Sequence, residues 1–309
     1  MSDGYLVEVN GYCFRVKVGG VDFVSLSLHP QGFYESSCIC GYPLAPTKRH
    51  LYHGRGREIV RRPKYKEYRI MYETTVALGM YYERFYSKTK IQPIILEELR
   101  RKCCRDLDSL LSCVDDWFKH VKPRANLLSV IVNCIKVSKD QSFYNILGDA
   151  LCQAIKLQGL SLKNDEVVIT YVPKHPDELK EDMWKGEKFN QAQLIAEALG
   201  EKLGRPVVEV LEQRERRKAG RRSRWERYEE AYRIYDLISG RADMIKGKTV
   251  LLVDDVRTSG ATITALAEKL AREGASRIYV VVVARTVMDE DYDKLFNLEL
   301  SRCKPPWMI

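Results

Sequence analysis

Residues 250–262, VLLVDDVRTSGAT, constrain the fold more than any other stretch of the chain. Thr249, Val250, Leu251, Leu252 and Val253 are each β-branched or Leu, and none carries a charge. Such a run fits a strand buried on both faces, as in a parallel sheet covered by helices. Asp254 and Asp255 follow where that strand would end. Val256 and Arg257 then lead into a turn of Thr258, Ser259, Gly260, Ala261 and Thr262. Ile263, Leu266, Ala267 and Leu270 recur at helical spacing until Gly274 closes the pattern. A strand, an acidic tip, a hydroxyl-rich turn and a helix start predict a phosphate site. Backbone N–H groups and the positive helix end face the anion, and glycine lets the backbone come close. The plain alternative is an ordinary strand-to-helix turn whose acids merely cap the helix.

This order of strand, paired acids and T-S-G-A-T turn resembles the ribose-phosphate loop of type I phosphoribosyltransferases, enzymes that use 5-phosphoribosyl-1-pyrophosphate (PRPP). Two more segments are similar to the ComF branch of that family. A strand predicted at 166–172 runs into Val172, Pro173, Lys174, His175 and Pro176, and residues 185–191, KGEKFNQ, open a helix. The ComF branch carries a V-P-x-x-x-P-like loop and an R-G-F-N-Q segment in that order. The resemblance covers roughly residues 127–287.

The resemblance implies an α/β fold, a type I phosphoribosyltransferase-like parallel sheet with helices on both faces. It implies Mg2+-dependent transfer of ribose 5-phosphate from PRPP to a nitrogen nucleophile, a nucleobase or ammonia, with release of pyrophosphate. Asp254 and Asp255 would contact the ribose hydroxyls, directly or through magnesium, and oppose the charge that builds on the sugar. Val256, Arg257, Thr258, Ser259, Gly260, Ala261 and Thr262 would bind PRPP. Lys174 and His175 would take part of the pyrophosphate, from a loop that in type I enzymes often includes a non-proline cis peptide. The other reading is a non-catalytic PRPP-binding regulator that acts on nucleic acid, as the ComF association with DNA uptake permits.

The net charge of +9 is local. Residues 48–69 hold nine basic and two acidic side chains, and residues 214–227 hold eight and two. Two basic segments suit anionic ligands better than a general cationic coat. The second segment, with Arg214, Arg216, Arg217, Lys218 and Arg221, is expected to form a flexible hood over pyrophosphate, hinged at Gly220. Its bland alternative is a solvated charged helix. The first segment is expected to be a solvated face or a subunit contact of a homodimer, with nucleic acid as the alternative partner.

The length of 309 residues suggests about two domains. Three segments are expected: a β-rich module at 1–64, a helical segment at 65–125, and the phosphoribosyltransferase domain at 126–309. Apolar and polar residues alternate over 4–29, which predicts a hairpin or small sheet. Cys38, Cys40, His50 and His53 offer C-x-C followed nine residues later by H-x-x-H, a candidate structural zinc site. Tyr68, Met71, Tyr72, Val76, Leu78 and Met80 suggest a helical apolar face, and helical periodicity returns over 96–118. Beyond Asn126 a helix is expected at 143–155, another at 189–204, and strands at 207–211 and 278–284. The nine cysteines are expected to be unpaired, with Cys104, Cys134 and Cys152 as buried thiols. No apolar run reaches membrane-spanning length, and the N-terminus lacks a basic lead and apolar signal core, so the expectation is a cytoplasmic protein.

Overall fold

The computed structural model describes residues 5–9, 13–18, 21–26, 59–61, 67–69, 72, 75–81, 93–113, 116, 127–157, 159–160, 162, 166–181, 189–217 and 224–286. The four residues expected to hold zinc, Cys38, Cys40, His50 and His53, lie outside them, as do Lys218 and Arg221 of the expected hood.

Strands β1 (Tyr5–Val9), β2 (Cys13–Val18) and β3 (Val21–Leu26) form an antiparallel sheet, as their alternating pattern predicts. β4 (Ile59–Arg61) pairs with β5 (Glu67–Arg69), and β6 (Thr75–Tyr81) follows. Helices α1 (Pro93–Cys103), α2 (Leu107–Ser112), α3 (Leu127–Ile135) and α4 (Gln141–Leu157) come next. The remainder alternates: β7 (Val167–Tyr171), α5 (Pro176–Glu181), α6 (Gln191–Leu203), β8 (Leu211–Gln213), α7 (Arg224–Ile234), β9 (Tyr235–Leu237), β10 (Thr249–Arg257), α8 (Ala261–Arg272) and β11 (Arg277–Thr286).

The central sheet is parallel throughout, in the order β6-β11-β10-β7. Both of its faces are covered. Leu251, Val253, Val281 and Ile169 join one core with residues of α3, α4 and α6. Val250, Leu252, Val280 and Val168 join the other with α7 and α8. Each Val or Leu so buried contributes about 1.5–3 kcal/mol, which is why the run from Thr249 to Val253 is uniformly apolar. The α/β architecture expected from the sequence is the one observed.

Three expectations need correction. Residues 67–69 and 75–81 are strands, not helix, and β6 is an edge of the central sheet. Val76 and Leu78 face one core and Ala77 the other, the alternation of a strand. The run TVALGMY has no charge to mark a period, so it fits either element on composition alone. The central sheet therefore includes residues from before position 126. The N-terminal sheet also packs on this body, with Val9 N–H donating to Gln153 Oε1 at 2.9 Å.

The cysteines are the second correction. Cys103 is disulfide-bonded to Cys113 and Cys104 to Cys134, while Cys152 is a free buried thiol as expected. The third concerns the backbone: among the described residues every peptide bond is trans, including those of the loop after β7. A smaller shift moves the strand expected at 207–211 to Leu211–Gln213, with Val207 making only an isolated parallel bridge to Ile169. Among the described residues, no helix is long and apolar enough to cross a membrane.

Candidate functional site

The C-terminal ends of β7 and β10 open into one cleft of about 510 Å3. In a doubly covered parallel sheet this is where ligands bind. Pro173 and Lys174 line it from the loop after β7, residues 254–263 from the end of β10 into α8, and Tyr235 from β9.

Asp254 and Asp255 stand half-buried at the end of β10. Asp254 Oδ1 accepts from Asp255 N–H at 3.0 Å, and Asp255 Oδ1 accepts from Val256 N–H at 2.6 Å. The plain alternative fails here. Helix α8 is N-capped by Gly260 with no side-chain cap bond, so neither acid caps it. Burial, and then the neighbouring Asp255 carboxylate, push Asp254 well above the usual carboxylate range.

Gly260 adopts φ +74°, a conformation that favours glycine. A Cβ there would lie 2.9 Å from Nε and Nη2 of Arg257. Arg257 is 1% exposed, and its guanidinium lies against the Gly260 turn at the wall of the cleft. Thr264 N–H and Oγ1 both donate to Gly260 O at 2.9 Å, which starts the helix, while Ser259 Oγ accepts from Ala261 N–H at 3.4 Å. Thr258 and Thr262 complete a hydroxyl-bearing turn at the positive end of α8, an arrangement that receives phosphate oxygens.

The loop after β7 is held from two sides. Asn190, buried at the start of α6, donates from Nδ2 to Val172 O at 2.9 Å and caps the helix by accepting from Ala192 N–H at 3.1 Å. Gln213 Oε1 accepts from His175 N–H at 3.1 Å. Lys174 faces the cleft, whereas His175 is not among its lining residues. The His175 ring turns to α5 instead, with Nδ1 accepting from Asp177 N–H at 3.2 Å.

The expected hood takes partly the bland form. Its C-terminal part is helix α7, bracketed by the β8–β9 ribbon. Arg214 is ion-paired with Glu212 and Asp236. Arg216 is exposed. Arg217 reaches inward: Nη2 donates to Tyr235 OH at 2.6 Å and to Thr262 Oγ1 at 3.1 Å. Burial pushes the Tyr235 hydroxyl up to about 12, with Arg217 opposing that rise. Neither Gln213 nor Tyr235 carries a sequence signal, because each gains its role only by pairing across the ribbon. At the far rim Lys136 Nζ stands 5.0 Å above the Tyr81 ring.

The donor set also bears on magnesium. Two adjacent carboxylates suit a hard cation that keeps much of its water and takes further oxygens from a phosphate ligand. Among the described residues, no group of three His, Cys, Asp or Glu side chains would hold a metal unaided.

Residues 195–297 match the family described as phosphoribosyl transferase domain, about a third of the chain. Among solved structures, the chain is similar to an allosteric regulatory enzyme of purine biosynthesis, with 22% identity and a TM-score of 0.28 over 46% of this chain. That similarity spans only 25% of the other protein's length. It is similar also to a purine phosphoribosyltransferase from Pyrococcus horikoshii Ot3, with 18% identity and a TM-score of 0.26 over 46% of this chain and 86% of that one. A third is an adenine phosphoribosyltransferase from Thermoanaerobacter pseudethanolicus, with 15% identity and a TM-score of 0.30 over 48% and 83%. Among curated proteins none matches. The functional reading rests on the domain match and on the site's own residues.

Proposed function

We propose that the protein transfers ribose 5-phosphate from PRPP to a nitrogen nucleophile, a nucleobase or ammonia, and releases pyrophosphate. The observation that carries this reading is the pair Asp254 and Asp255, aimed into the cleft above a phosphate turn that they do not cap.

In this reading the turn of residues 258–262 takes the 5-phosphate through N–H groups, the Thr258 and Thr262 hydroxyls and the positive end of α8. Lys174 holds the pyrophosphate end at the other side of the same cleft. The bond from ribose C1 to pyrophosphate breaks, the electron pair leaves with pyrophosphate, and the nitrogen forms the new bond to C1 and gives up its proton to solvent. Positive charge on the sugar ring grows beside Asp254 and Asp255, which oppose it. Asp254 and Asp255 would also hold magnesium, which supplies charge neutralisation to the leaving group. Arg217, next to Thr262, adds fixed positive charge at the phosphate end.

The nucleic-acid reading gains little from the described arginines of the ribbon region. Arg214, Arg233 and Arg241 are each ion-paired to a carboxylate. The test is pyrophosphate release from PRPP and magnesium across a panel of nucleobases and ammonia. At least one acceptor should raise release above the acceptor-free rate, and Asp255→Asn should remove that rise. PRPP binding with no release for any acceptor would instead favour the regulatory reading.

A further inference from the structure

Gln213 and Tyr235 face each other directly across the β8–β9 ribbon. Opposite residues of an antiparallel pair project from the same face, and both side chains are buried, at 5% and 1% exposure. Each reaches a different anion loop. Gln213 Oε1 accepts from His175 N–H at 3.1 Å, while Nε2 donates to Glu178 Oε1 at 3.2 Å and to Glu215 O at 3.0 Å. Those three partners fix the amide's orientation. A flipped amide would set donor against donor at His175 and oxygen against oxygen at Glu178. Tyr235 OH accepts from Arg217 Nη2 at 2.6 Å, and the same nitrogen donates to Thr262 Oγ1 at 3.1 Å. The guanidinium also lies 5.4 Å from the Tyr235 ring centre, so hydroxyl and ring together fix where that charge sits.

We infer that this one cross-strand pair positions both ends of the ligand: Gln213 sets the loop that receives pyrophosphate, and Tyr235, through Arg217, sets the charge at the turn that receives the 5-phosphate. The inference rests on the PRPP reading above and assigns two positioning residues to it. The ribbon acts as a spacer. A diphosphate at one end of a ribose and a monophosphate at the other must be met at a fixed separation, and a hydrogen-bonded residue pair holds that separation better than two independent loops. Neither residue touches the reacting atoms.

The two ends are separable in a binding experiment, because each fragment of the ligand reports on one loop. The full-length protein is titrated calorimetrically with magnesium pyrophosphate and, separately, with ribose 5-phosphate. Gln213→Met keeps the volume and removes the amide, and Tyr235→Phe removes only the hydroxyl. A hydrogen bond lost from a preorganised loop corresponds to roughly a tenfold loss of affinity. Gln213→Met should therefore weaken pyrophosphate about tenfold and leave ribose 5-phosphate within about twofold, and Tyr235→Phe should do the reverse. A variant that merely loosens the fold would weaken both fragments together. That outcome, or wild-type affinity for both fragments in both variants, overturns the inference while leaving the PRPP reading standing. A wild-type protein that binds neither fragment overturns both.

Discussion

The side-chain amide of Asn190 joins two structural jobs, donating to Val172 O at 2.9 Å while its oxygen caps α6 at Ala192 N–H. The loop after β7 and the helix that follows it in the sequence are thus fixed by one residue. Asn190→Asp keeps the cap and loses the donor, whereas Asn190→Ala loses both. Chemical denaturation should show a loss of about 1–2 kcal/mol for Asn190→Ala, part of which Asn190→Asp retains. Both variants should raise the KM for PRPP. Equal stability for the two would mean that the cap contributes nothing.

Gly260 is the second point of leverage. Alanine at φ +74° meets left-handed backbone strain, and its Cβ would sit 2.9 Å from the Arg257 guanidinium. Gly260→Ala should lose roughly 1–2 kcal/mol from the backbone alone, and ribose 5-phosphate binding should fall further as the turn reshapes. Unchanged binding would remove Gly260 from the phosphate site.

Asp254 gives a prediction with a definite sign. Its folded-state pKa is raised, first by burial and then by Asp255. The unfolded chain releases this proton at a lower pH than the folded chain does. Between the two values the folded state therefore loses stability as pH rises, and above the folded value that loss is complete. Asp254→Asn should raise the Tm of the ligand-free protein at neutral pH by a few degrees while abolishing turnover, the mark of a functional group held at a structural cost. The gain over wild type should shrink as pH falls toward the ordinary carboxylate range. A lowered Tm would contradict this account of Asp254.

The helices α1 to α3 carry the disulfides Cys103–Cys113 and Cys104–Cys134, which close sequence separations of 10 and 30 residues. Loops of these lengths correspond to about 3 kcal/mol each from restricting the unfolded chain. Reductant should lower the Tm, and alkylation of the unreduced, denatured protein followed by mass spectrometry should leave these four cysteines unlabelled. Full labelling without reductant would overturn the pairing.

Much of the site was readable because its signals are local. A strand covered on both faces must be apolar along its whole length, so Thr249 to Val253 declare themselves, and the Gly260 turn follows within the same stretch. β6 is not legible in the sequence because TVALGMY contains no charged residue to separate a period of 2 from one of 3.6. The burial of Arg257 is not legible in the motif, because only packing shows that an arginine at the wall of the cleft is 1% exposed and set against Gly260. Gln213 and Tyr235 are 22 positions apart and ordinary in their neighbourhoods. Their pairing arises from ribbon register, which no short motif records.

Calorimetric titration of PRPP into the protein with magnesium present tests the central claim most directly. The wild-type chain should give saturable heat with one site per chain, and the Asp254→Asn, Asp255→Asn double variant should lose most of it. No heat from the wild-type chain, or undiminished binding in the double variant, would contradict a PRPP site built on the end of β10.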